Sequence, residues 1–522
     1  MASADLANEK EAGVPARVPR RDCYDAIVVG SGLGGLSAGA LLAGTGRSVL
    51  VAERQDVPGG YAGAFRRGPY TIDPAIHVIP EPAFVYAMLD FLGTRDRVNL
   101  LPIGETFHAR YPGLELTVGL GHERLVTALA ELHPAQAQGI RAVVDTAARL
   151  FQEMTSMPHQ LQLARLDDAM EQVPTLFRYR RATVEDVLDE HLSDPRLKAL
   201  LATIWPYMGS PPSRFSFMAF SMVLTGCARG MFYCEGSFQR LVEALADGLE
   251  LAGGELVLGA EVTGIDIEGG RARGIKIGDD RVSAPIVVSN ADAYQTFERL
   301  VDPIHIPARY LRRLRRLTLS PSACSLYAAT TLDLGALGAT HETFIFTGWD
   351  HEEAARKASG GRLGALWLTV PTLMDPSLAP PGEHLVILNS LAAYDPGVPW
   401  ADRREAYGEE LVALLDDAYP GFGDSLTFCE LSLPTTLEGH TLNRDGALYG
   451  WEVTPRQASS GRLAHVTPVP GLYLSGHWTQ QGPGSLRALT SGDAVARLVL
   501  AESGDEDALP SFRPGYLPSL EP

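Results

Sequence analysis

A stretch near the N-terminus, residues 24–63, contains every part of a βαβ unit in the right order. The apolar run Ala26–Val29 has the length and composition of a buried parallel strand. It is followed by the pattern G-x-G-x-x-G and by a run of small residues, Leu36–Ala43, that predicts a helix. A second apolar run, Ser48–Ala52, ends in Glu53, which lies 23 positions after the first glycine. This arrangement restricts the region to an α/β fold.

The glycines and the acid of this unit match the needs of a bound dinucleotide. The first glycine permits a tight turn, the second lets the backbone approach a pyrophosphate, and the third lets the helix pack close to the strand. The helix N-terminus then faces the phosphate charge, and Glu53 accepts hydrogen bonds from ribose hydroxyls. A tight glycine turn in an ordinary α/β fold is the alternative, but it does not explain Glu53. The residues predicted to bind the nucleotide are Gly30, Gly32, Leu33, Gly34, Gly35, Glu53 and Arg54.

Three stretches resemble one family in the order in which that family carries them. The first continues past the βαβ unit into a second glycine turn, Gly59-Gly60, and a strand at Tyr70–Asp73. The second, Glu255–Asp292, is rich in short strands and ends in V-S-N-A-D, and the third, Gly471–Leu498, runs from a strand through a glycine-rich turn into a last helix. Together they resemble the FAD-binding segments of the phytoene desaturase, carotenoid isomerase and retinol saturase superfamily of oxidoreductases.

The resemblance implies FAD rather than NAD, bound by a Rossmann-like domain of the GR2 type that is assembled from discontinuous segments of an α/β chain. An α+β substrate domain is inserted between them. No second strand–G-x-G-x-x-G–helix unit occurs, so a built-in NAD(P) domain is not expected. The expected division is a flexible N-terminus at 1–21, an FAD-binding domain from 22–110, 226–300 and 441–505, a substrate or lid domain from 111–225 and 301–440, and a flexible acidic tail at 506–522.

The resemblance also carries over individual cofactor contacts. It implies that the backbone of Val262 meets the adenine and that Gly59 and Gly60 lie near the pyrophosphate and the flavin. The family's Y-P-x-G-G turn is written here as Y-C-E-G-S, so Gly236 keeps the first glycine and Ser237 replaces the second. That replacement weakens the expectation of a close backbone approach at residue 237.

The closing segment departs from the family after Gly476 and again at Gln480, where histidine is usual in the desaturase turn. Many relatives place an acid after the glycine of G-D, whereas this chain has His477 followed by Trp478. The next six residues resemble the desaturase turn T-H-P-G-x-G, in which backbone amides stabilise charge on a reduced flavin. Ordinary packing at a turn is the alternative for His477 and Trp478. The residues expected here at the flavin are Gly476, His477, Gly482, Gly484, Ser485 and Leu486.

His77 is the candidate catalytic residue. It stands in I-D-P-A-I-H-V-I, which resembles the F-D-x-G-I-H stretch of retinol saturases at Asp73, Ile76 and His77 but departs from it at Pro74-Ala75. Because a histidine titrates near neutrality, His77 is a candidate to deliver or orient a proton when hydride moves between flavin and polyene. The alternative is a core histidine with satisfied hydrogen bonds. The sequence shows no metal-ligand cluster with credible spacing, so no metal is expected.

The substrate is inferred indirectly. The aromatic and methionine run Phe215–Leu224 would suit an elongated lipophilic ligand or, equally, a core helix. The resemblance implies an FAD enzyme that desaturates, saturates or isomerises a conjugated polyene of carotenoid, retinoid or polyketide type by hydride transfer at flavin N5. Reductive cyclisation of a polyene macrolactam in bacterial specialised metabolism, amine oxidation and a non-catalytic flavin- or lipid-binding role remain as alternatives.

Charge and cysteine content limit the partners. With 44 basic and 63 acidic residues, the formal charge of −19 argues against nucleic acid. The basic amphipathic segment Tyr310–Leu317 leaves peripheral membrane contact open, although a solvated face over packed leucines explains it as well. The five cysteines form no C-x-x-C pair, which favours a reduced, cytoplasmic protein, and no apolar stretch is long enough to span a membrane. The oligomeric state is left open.

Overall fold

The computed structural model describes residues 2–3, 18–156 and 172–512. Their helices are Leu33–Gly44, Pro82–Leu92, His122–Leu132, Ala137–Ser156, Pro174–Tyr179, Val184–His191, Pro195–Ala202, Phe217–Arg229, Gln239–Leu251, Ala308–Leu314, His351–Ser359, Trp400–Ala418, Pro434–Thr441 and Ser485–Ser503. Their strands fall into five sheets. Two of these sheets, one parallel and one largely antiparallel, organise the molecule.

The parallel sheet has five strands and corresponds to the predicted nucleotide-binding domain. Its spatial order is Glu255–Val257, Val49–Ala52, Ala26–Val29, Ile286–Ser289 and Leu472–Leu474. The strands are short apolar runs, and all but one residue of the five strands are buried, as a sheet covered on both faces requires. The strands come from three separate parts of the chain. The prediction of a Rossmann-like domain built from discontinuous segments is therefore confirmed.

Helices cover one face of this sheet and a small antiparallel sheet covers the other. Leu33–Gly44 packs on the strands because Gly39 has no side chain; a Cβ there would lie 2.8 Å from Cγ2 of Val51. The closing helix, Ser485–Ser503, approaches the same helix closely at Gly492. On the opposite face lie the strands Val262–Glu268, Arg271–Ile277 and Asp280–Ser283.

The largest sheet has eight strands and forms the second half of the molecule. Its spatial order is Ala2–Ser3, Leu426–Ser432, Ser322–Thr330, His384–Ala392, Ala365–Thr369, Glu342–Phe346, Glu105–Tyr111 and Leu114–Gly119. The end of the first cofactor-domain segment, expected at residue 110, lies earlier in this topology. The strand Glu105–Tyr111 pairs with Glu342–Phe346 and so belongs to the large sheet. Two small sheets join the halves: one of Ile79–Pro80, Met231–Cys234 and Leu100–Pro102, the other of Phe65–Arg67 and Tyr70–Ile72.

The predicted helical region after residue 111 packs as a bundle beside the large sheet. The aromatic run that was a candidate ligand wall lies mostly in the helix Phe217–Arg229. Phe215, Phe217, Phe220 and Leu224 are all fully buried in the core of this bundle. The packing therefore favours the alternative interpretation, a core helix. Residues 157–171 of this region lie outside the described residues.

The basic segment and the expected tail both pack against the protein. Leu314, the last residue of the helix Ala308–Leu314, is buried. Its neighbour Arg313 donates to the carbonyl of Arg462 at 2.8 Å. This geometry favours the alternative in which the basic face is solvated and the leucines pack against the protein. In the stretch expected to be loose from residue 506, Leu509 and Phe512 are buried, the latter against the ring of Phe84. Residues 513–522 lie outside the described part of the chain.

Within the described ranges no helix has the length and apolarity needed to cross a membrane.

Candidate functional site

The G-x-G-x-x-G loop has the conformation that only glycine allows. Gly30 takes φ +91° and donates its N–H to the carbonyl of Ala52 at 2.8 Å, so the pairing with the neighbouring parallel strand continues to the start of the loop. A Cβ on Gly35 would lie 2.1 Å from the carbonyl oxygen of Gly30, so a side chain cannot be placed there. Gly32 caps the helix Leu33–Gly44, whose first N–H groups have no partner within the helix. The loop itself places no side chain in front of its backbone donors, and the side chain of Asn290 lies against Gly32 and Gly34.

The second glycine pair lies directly on this loop. Gly59 takes φ +122° and donates its N–H to the carbonyl of Ser31 at 3.1 Å. A Cβ on Gly60 would be 3.5 Å from the Cα of Gly32. The second glycine turn and the G-x-G-x-x-G loop therefore form one continuous surface.

Glu53 lies beside this surface and is almost fully buried. Its Oε2 accepts hydrogen bonds from the backbone N–H and the hydroxyl of Ser31, both at 2.8 Å, and its Oε1 accepts from the N–H of Gln55 at 2.8 Å. The carbonyl of Glu53 accepts from the N–H of Ala260 at 2.7 Å, which brings the start of the strand at Val262 next to the acid. Ser31 was not singled out from the sequence, although it is part of the glycine motif itself.

Arg54 points to a different neighbour. Its guanidinium donates to the carbonyls of Gly439 and His440, at 3.2 and 2.7 Å, at the end of the helix Pro434–Thr441. The cation therefore fixes this helix against the strand end that carries Glu53. Its contribution to the site is positional in this structure.

The closing segment meets the loop at Gly476. Gly476 takes φ +86° and donates its N–H to the hydroxyl of Ser491 at 2.7 Å. A Cβ on Gly34 would lie 2.7 Å from the nitrogen of Gly476, so the two turns touch. The side chain of Asn290 lies between them, close to Gly32 and Gly476. Asn290 is a site residue that sequence reasoning missed, although it is the asparagine of the V-S-N-A-D box.

Open space lies beside the last glycine turn. Gly482 and Gly484 take φ +83° and +109°, and no atom lies within 4 Å of the position of a Cβ at either residue. Gly484 caps the closing helix, whose second residue is the half-buried Leu486. The hydroxyl of Ser485 donates to the carbonyl of Val78 at 3.0 Å. The closing helix thus begins one residue away from His77.

His477 is neutral in this environment. Burial, with a contribution from the positive charge of Arg462, lowers the pKa of His477 to about 3. Its carbonyl accepts from Arg462 at 3.0 Å, and its ring lies 6.1 Å from that of Tyr61. The buried guanidinium of Arg462 also donates to the carbonyls of Tyr449 and Trp451 and so fixes this turn from behind.

His77 is buried between the two halves of the molecule. Its Nε2 lies 3.2 Å from the carbonyl oxygen of Asp73, and its Nδ1 lies 3.1 Å from the hydroxyl of Thr369. Burial lowers the pKa of His77 to about 3. The expectation that His77 titrates near neutrality is therefore wrong, because the ring is removed from water. Of the two roles considered, orienting a proton fits this environment and delivering one does not.

Two acids near His77 have the opposite perturbation. Asp73 accepts from the Tyr233 hydroxyl at 2.7 Å and from the Phe238 N–H at 3.0 Å, and burial raises its pKa to about 7. Glu342, which the sequence analysis missed, lies with its Oε1 3.7 Å from Nδ1 of His77, and burial raises its pKa to about 8. The sequence contained one signal for Glu342, namely an acid at the start of the otherwise largely apolar strand Glu342–Phe346.

The donor set of the glycine surface suits an extended anion such as the diphosphate of a dinucleotide. Backbone N–H groups at the start of a helix bind phosphate, and the three adjoining turns place no Cβ in front of them. Glu53 adds the acceptor that ribose hydroxyls require. Among the described residues, no group of three or more His, Cys, Asp or Glu side chains is placed to hold a metal ion.

Comparison with known families identifies the protein class. The family model described as flavin containing amine oxidoreductase matches residues 33–500. The chain belongs to this family. As a flavin containing amine oxidoreductase family member it is an FAD-dependent oxidoreductase, and the predicted cofactor is confirmed.

Relatives within this family are carotenoid enzymes by name. The chain is 28% identical to prolycopene isomerase 2, chloroplastic, of an Oncidium hybrid cultivar over 524 residues, which covers 95% of this chain and 86% of the relative. It is 30% identical to phytoene dehydrogenase of Streptomyces griseus over 495 residues, which covers 91% of this chain and 94% of the relative. The predicted resemblance to phytoene desaturases and carotenoid isomerases is confirmed.

Solved structures of the amine oxidoreductase type share the fold. Wild-type putrescine oxidase bound to putrescine superposes with a TM-score of 0.63 at 16% identity, covering 92% of this chain and 99% of that chain. An oxidoreductase from Methanosarcina mazei superposes with a TM-score of 0.61 at 19% identity, covering 90% and 99%. At this identity the likeness establishes the fold alone, which agrees with the predicted FAD-binding architecture.

Proposed function

We propose that this flavoenzyme acts on a lipophilic conjugated polyene of carotenoid, retinoid or polyketide type and desaturates, saturates or isomerises it. The observation that carries the proposal is the similarity to prolycopene isomerase and phytoene dehydrogenase over more than nine-tenths of this chain. Similarity of that extent includes both halves of the molecule, the cofactor half and the half with the large sheet.

The glycine surface supports a definite placement of the cofactor. We infer that the diphosphate lies at the N-terminus of the helix Leu33–Gly44, with the ribose at Glu53 and the adenine beside Val262. The flavin then extends past Gly60 toward the open space at Gly484. FAD bound there supplies hydride transfer at its N5.

The chain contributes backbone hydrogen-bond donors and a site shielded from water, rather than a charged catalytic pair at the flavin. The N-terminus of the helix Ser485–Ser503 presents backbone donors to the proposed flavin position and stabilises negative charge there. His77, Asp73 and Glu342 are buried, and burial favours the neutral form of each. An uncharged, water-poor site suits hydrocarbon chemistry.

The cellular setting follows from the same chemistry. A polyene of this type resides in a lipid phase, so we propose a cytoplasmic protein that meets the membrane surface transiently to exchange substrate.

The test is turnover with defined substrates under anaerobic conditions. Purified holoenzyme, with its flavin oxidised or reduced, is incubated separately with a set of polyenes and a set of primary amines, and products are separated by chromatography and mass spectrometry. The proposal predicts a polyene product that differs from its substrate by two hydrogens or by geometry. Amine oxidation with inert polyenes contradicts it in favour of an amine oxidase, and a flavin that reacts with neither class contradicts it in favour of a carrier.

A further inference from the structure

The guanidinium of Arg462 is buried, and its hydrogen-bond partners are backbone carbonyls. Arg462 is 2% exposed. Its Nη2 donates to the carbonyls of Tyr449 and His477, at 2.8 and 3.0 Å, and its Nη1 donates to the carbonyl of Trp451 at 3.3 Å. Among the described residues no acid forms an ion pair with this guanidinium, and its Nε is buried without a hydrogen-bond partner.

This guanidinium is a charge that the chain itself does not neutralise. Burial alone lowers the pKa of Arg462, to about 9, so the group is charged at neutral pH. Glu452, the acid next to Trp451 in the chain, pairs instead with Arg214 at 3.0 Å. The three carbonyls offset part of the lost hydration, but a buried charge without a counter-charge still destabilises the folded protein. A bound anion close to Arg462 would remove that cost.

The partners of Arg462 lie beside an interior cavity. Tyr449 and His477 are part-exposed. Burial nevertheless raises the pKa of the Tyr449 phenol and, with the charge of Arg462, lowers the pKa of His477 to about 3. Side chains that are surrounded by protein and still accessible line a cavity inside the molecule. The ring of His477 lies 6.1 Å from that of Tyr61, which directly follows Gly60 in the second glycine turn.

The turn that Arg462 holds leads to the open space beside the last glycines. The carbonyl of Leu463, the next residue, accepts from the N–H of Gln480 at 2.8 Å. The chain then reaches Gly482–Gly484, where no atom lies within 4 Å of a Cβ position at either glycine. The path inferred for the flavin, from Gly60 to this open space, therefore runs beside residues that Arg462 fixes. That the isoalloxazine occupies this space rests on the cofactor placement under the proposed function.

We propose that Arg462 is the fixed positive charge of the flavin site, and that through it the protein binds reduced FAD more tightly than oxidised FAD. Oxidised isoalloxazine is neutral, whereas its reduction by two electrons with uptake of one proton leaves a negative charge on the pyrimidine ring. In a site shielded from water, a nearby cation stabilises this charge more strongly than it would in water. Because three carbonyls hold the guanidinium in place, it needs no rearrangement when the flavin is reduced.

The midpoint potential of the bound flavin reports this preference. The ratio of the affinities for reduced and oxidised FAD fixes the difference between the bound and the free potential. The potential of the holoenzyme is therefore expected to lie above that of free FAD. A potential at or below that of free FAD overturns the proposal, whether or not variants of Arg462 fold.

Spectroelectrochemical titration of the holoenzyme and two variants tests the role of the charge without turnover. Arg462→Gln removes the charge, so the affinity for reduced relative to oxidised FAD is expected to fall about tenfold, which lowers the midpoint potential by about 30 mV. Arg462→Lys keeps a positive charge and is expected to retain most of the parent potential. Arg456→Gln, at an exposed arginine in the segment leading to Arg462, is the matched control and leaves the potential in place.

Three outcomes with folded, flavin-loaded variants overturn the proposal. The first is an unchanged potential in Arg462→Gln. The second is an equal fall in Arg462→Gln and Arg462→Lys, which would mean that the shape of the side chain and not its charge sets the potential. The third is an equal loss of affinity for oxidised and reduced FAD in Arg462→Gln, which would pair the cation with the diphosphate. Since no polyene is used, a potential that depends on the charge at residue 462 stands even if polyenes prove inert and the proposed function fails.

Discussion

The side chain of Glu53 is held in one position, so its oxygens can accept hydrogen bonds from a ligand without reordering. Three hydrogen bonds from Ser31 and Gln55 fix both carboxylate oxygens at the edge of the glycine surface. Glu53→Gln keeps the shape but replaces charge-assisted hydrogen bonds by neutral ones, a difference of about 1–2 kcal/mol. We expect FAD affinity to fall about tenfold, measured by quenching of flavin fluorescence on titration into apoprotein. Glu261→Gln, at an exposed acid directly before the strand Val262–Glu268, is the control. An unchanged FAD affinity in Glu53→Gln contradicts the assigned ribose contact.

Ser237 occupies a glycine conformation. It is buried at φ +83°, directly after Gly236 at φ +77°, where the resembling family has two glycines. A residue with a Cβ in this conformation is destabilised by about 1–2 kcal/mol. Ser237→Gly is therefore expected to raise the free energy of unfolding by about 1 kcal/mol, as measured by urea denaturation.

A second substitution at this position separates strain from hydrogen bonding. The Ser237 hydroxyl accepts from the N–H of Gln239 at 3.2 Å. Ser237→Ala loses that bond while keeping the strained backbone, so it should destabilise the protein. If Ser237→Gly proves less stable than the parent, the strain argument fails.

Single residues differed in how far the sequence revealed them. The placement of Gly30, Gly35 and Glu53 around one loop was predictable because it depends on local spacing within one βαβ unit. Glu342 and Thr369 were not, because they meet through the pairing of two strands whose register no local pattern specifies. His77 was found from a local resemblance, but its protonation state depends on burial by distant segments and was predicted wrongly.

At the scale of elements, the contact between the first and last helices depends on one glycine. A Cβ on Gly492 would lie 1.9 Å from the hydroxyl of Ser37 and 2.7 Å from the carbonyl of Gly34. Gly492→Ala therefore forces apart the helices Leu33–Gly44 and Ser485–Ser503. We expect a loss of about 1–3 kcal/mol of unfolding free energy, measured by urea denaturation.

Gly439 provides the matched helical control. It lies exposed in the helix Pro434–Thr441, with no atom within 4 Å of a Cβ position. Gly439→Ala should be neutral or stabilising by up to about 1 kcal/mol, since alanine favours helix. Equal effects of the two substitutions would show that helix propensity, and not the close approach, governs Gly492.

Elements were predictable where their apolar pattern is self-contained. The strand Ala26–Val29 has the predicted bounds because Asp25 and Gly30 flank its two ends. The helix Trp400–Ala418 shows the opposite case; it begins directly after Pro399. Its first turn is fixed by a tertiary contact, since the Trp400 indole donates to the carbonyl of Ala393 at 3.0 Å. No local sequence pattern predicts that contact.

At the scale of the whole molecule, several buried histidines make stability depend on pH. Burial lowers the pKa values of His77, His351 and His477 to about 3 and that of His341 to about 4. Because the unfolded chain binds these protons below about pH 6.5 and the folded chain does not, acid lowers the unfolding free energy. The raised pKa values of Asp73 and Glu342 act in the opposite sense, their stabilisation being lost as pH rises toward 7 and 8.

A substitution at His351 isolates one of these protons. Each histidine contributes a slope of about 1.4 kcal/mol per pH unit between the two pKa values. His351→Gln should therefore lose less stability than the parent between pH 6.5 and pH 5, by about that amount per unit, as measured by urea denaturation at each pH. His305→Gln, at an exposed position, is the control. Identical slopes in His351→Gln and the parent contradict a buried, neutral His351.

The overall assembly was predictable in kind but not in its boundaries. The order of motifs indicated a cofactor domain in discontinuous segments, because each segment carries its own strand and turn signals. The large sheet draws strands from several of the expected segments, including Glu105–Tyr111 and Ala2–Ser3. Such non-local pairings depend on the packing of the whole chain, so composition and periodicity do not locate them.

A structure of the protein reconstituted with FAD tests the account most directly. We expect diphosphate density within hydrogen-bonding distance of the amides of Gly32–Gly35, ribose hydroxyls at Glu53, and the isoalloxazine beside Gly482–Gly484. A preparation with one flavin per chain whose cofactor density lies away from the helix Leu33–Gly44 would contradict it.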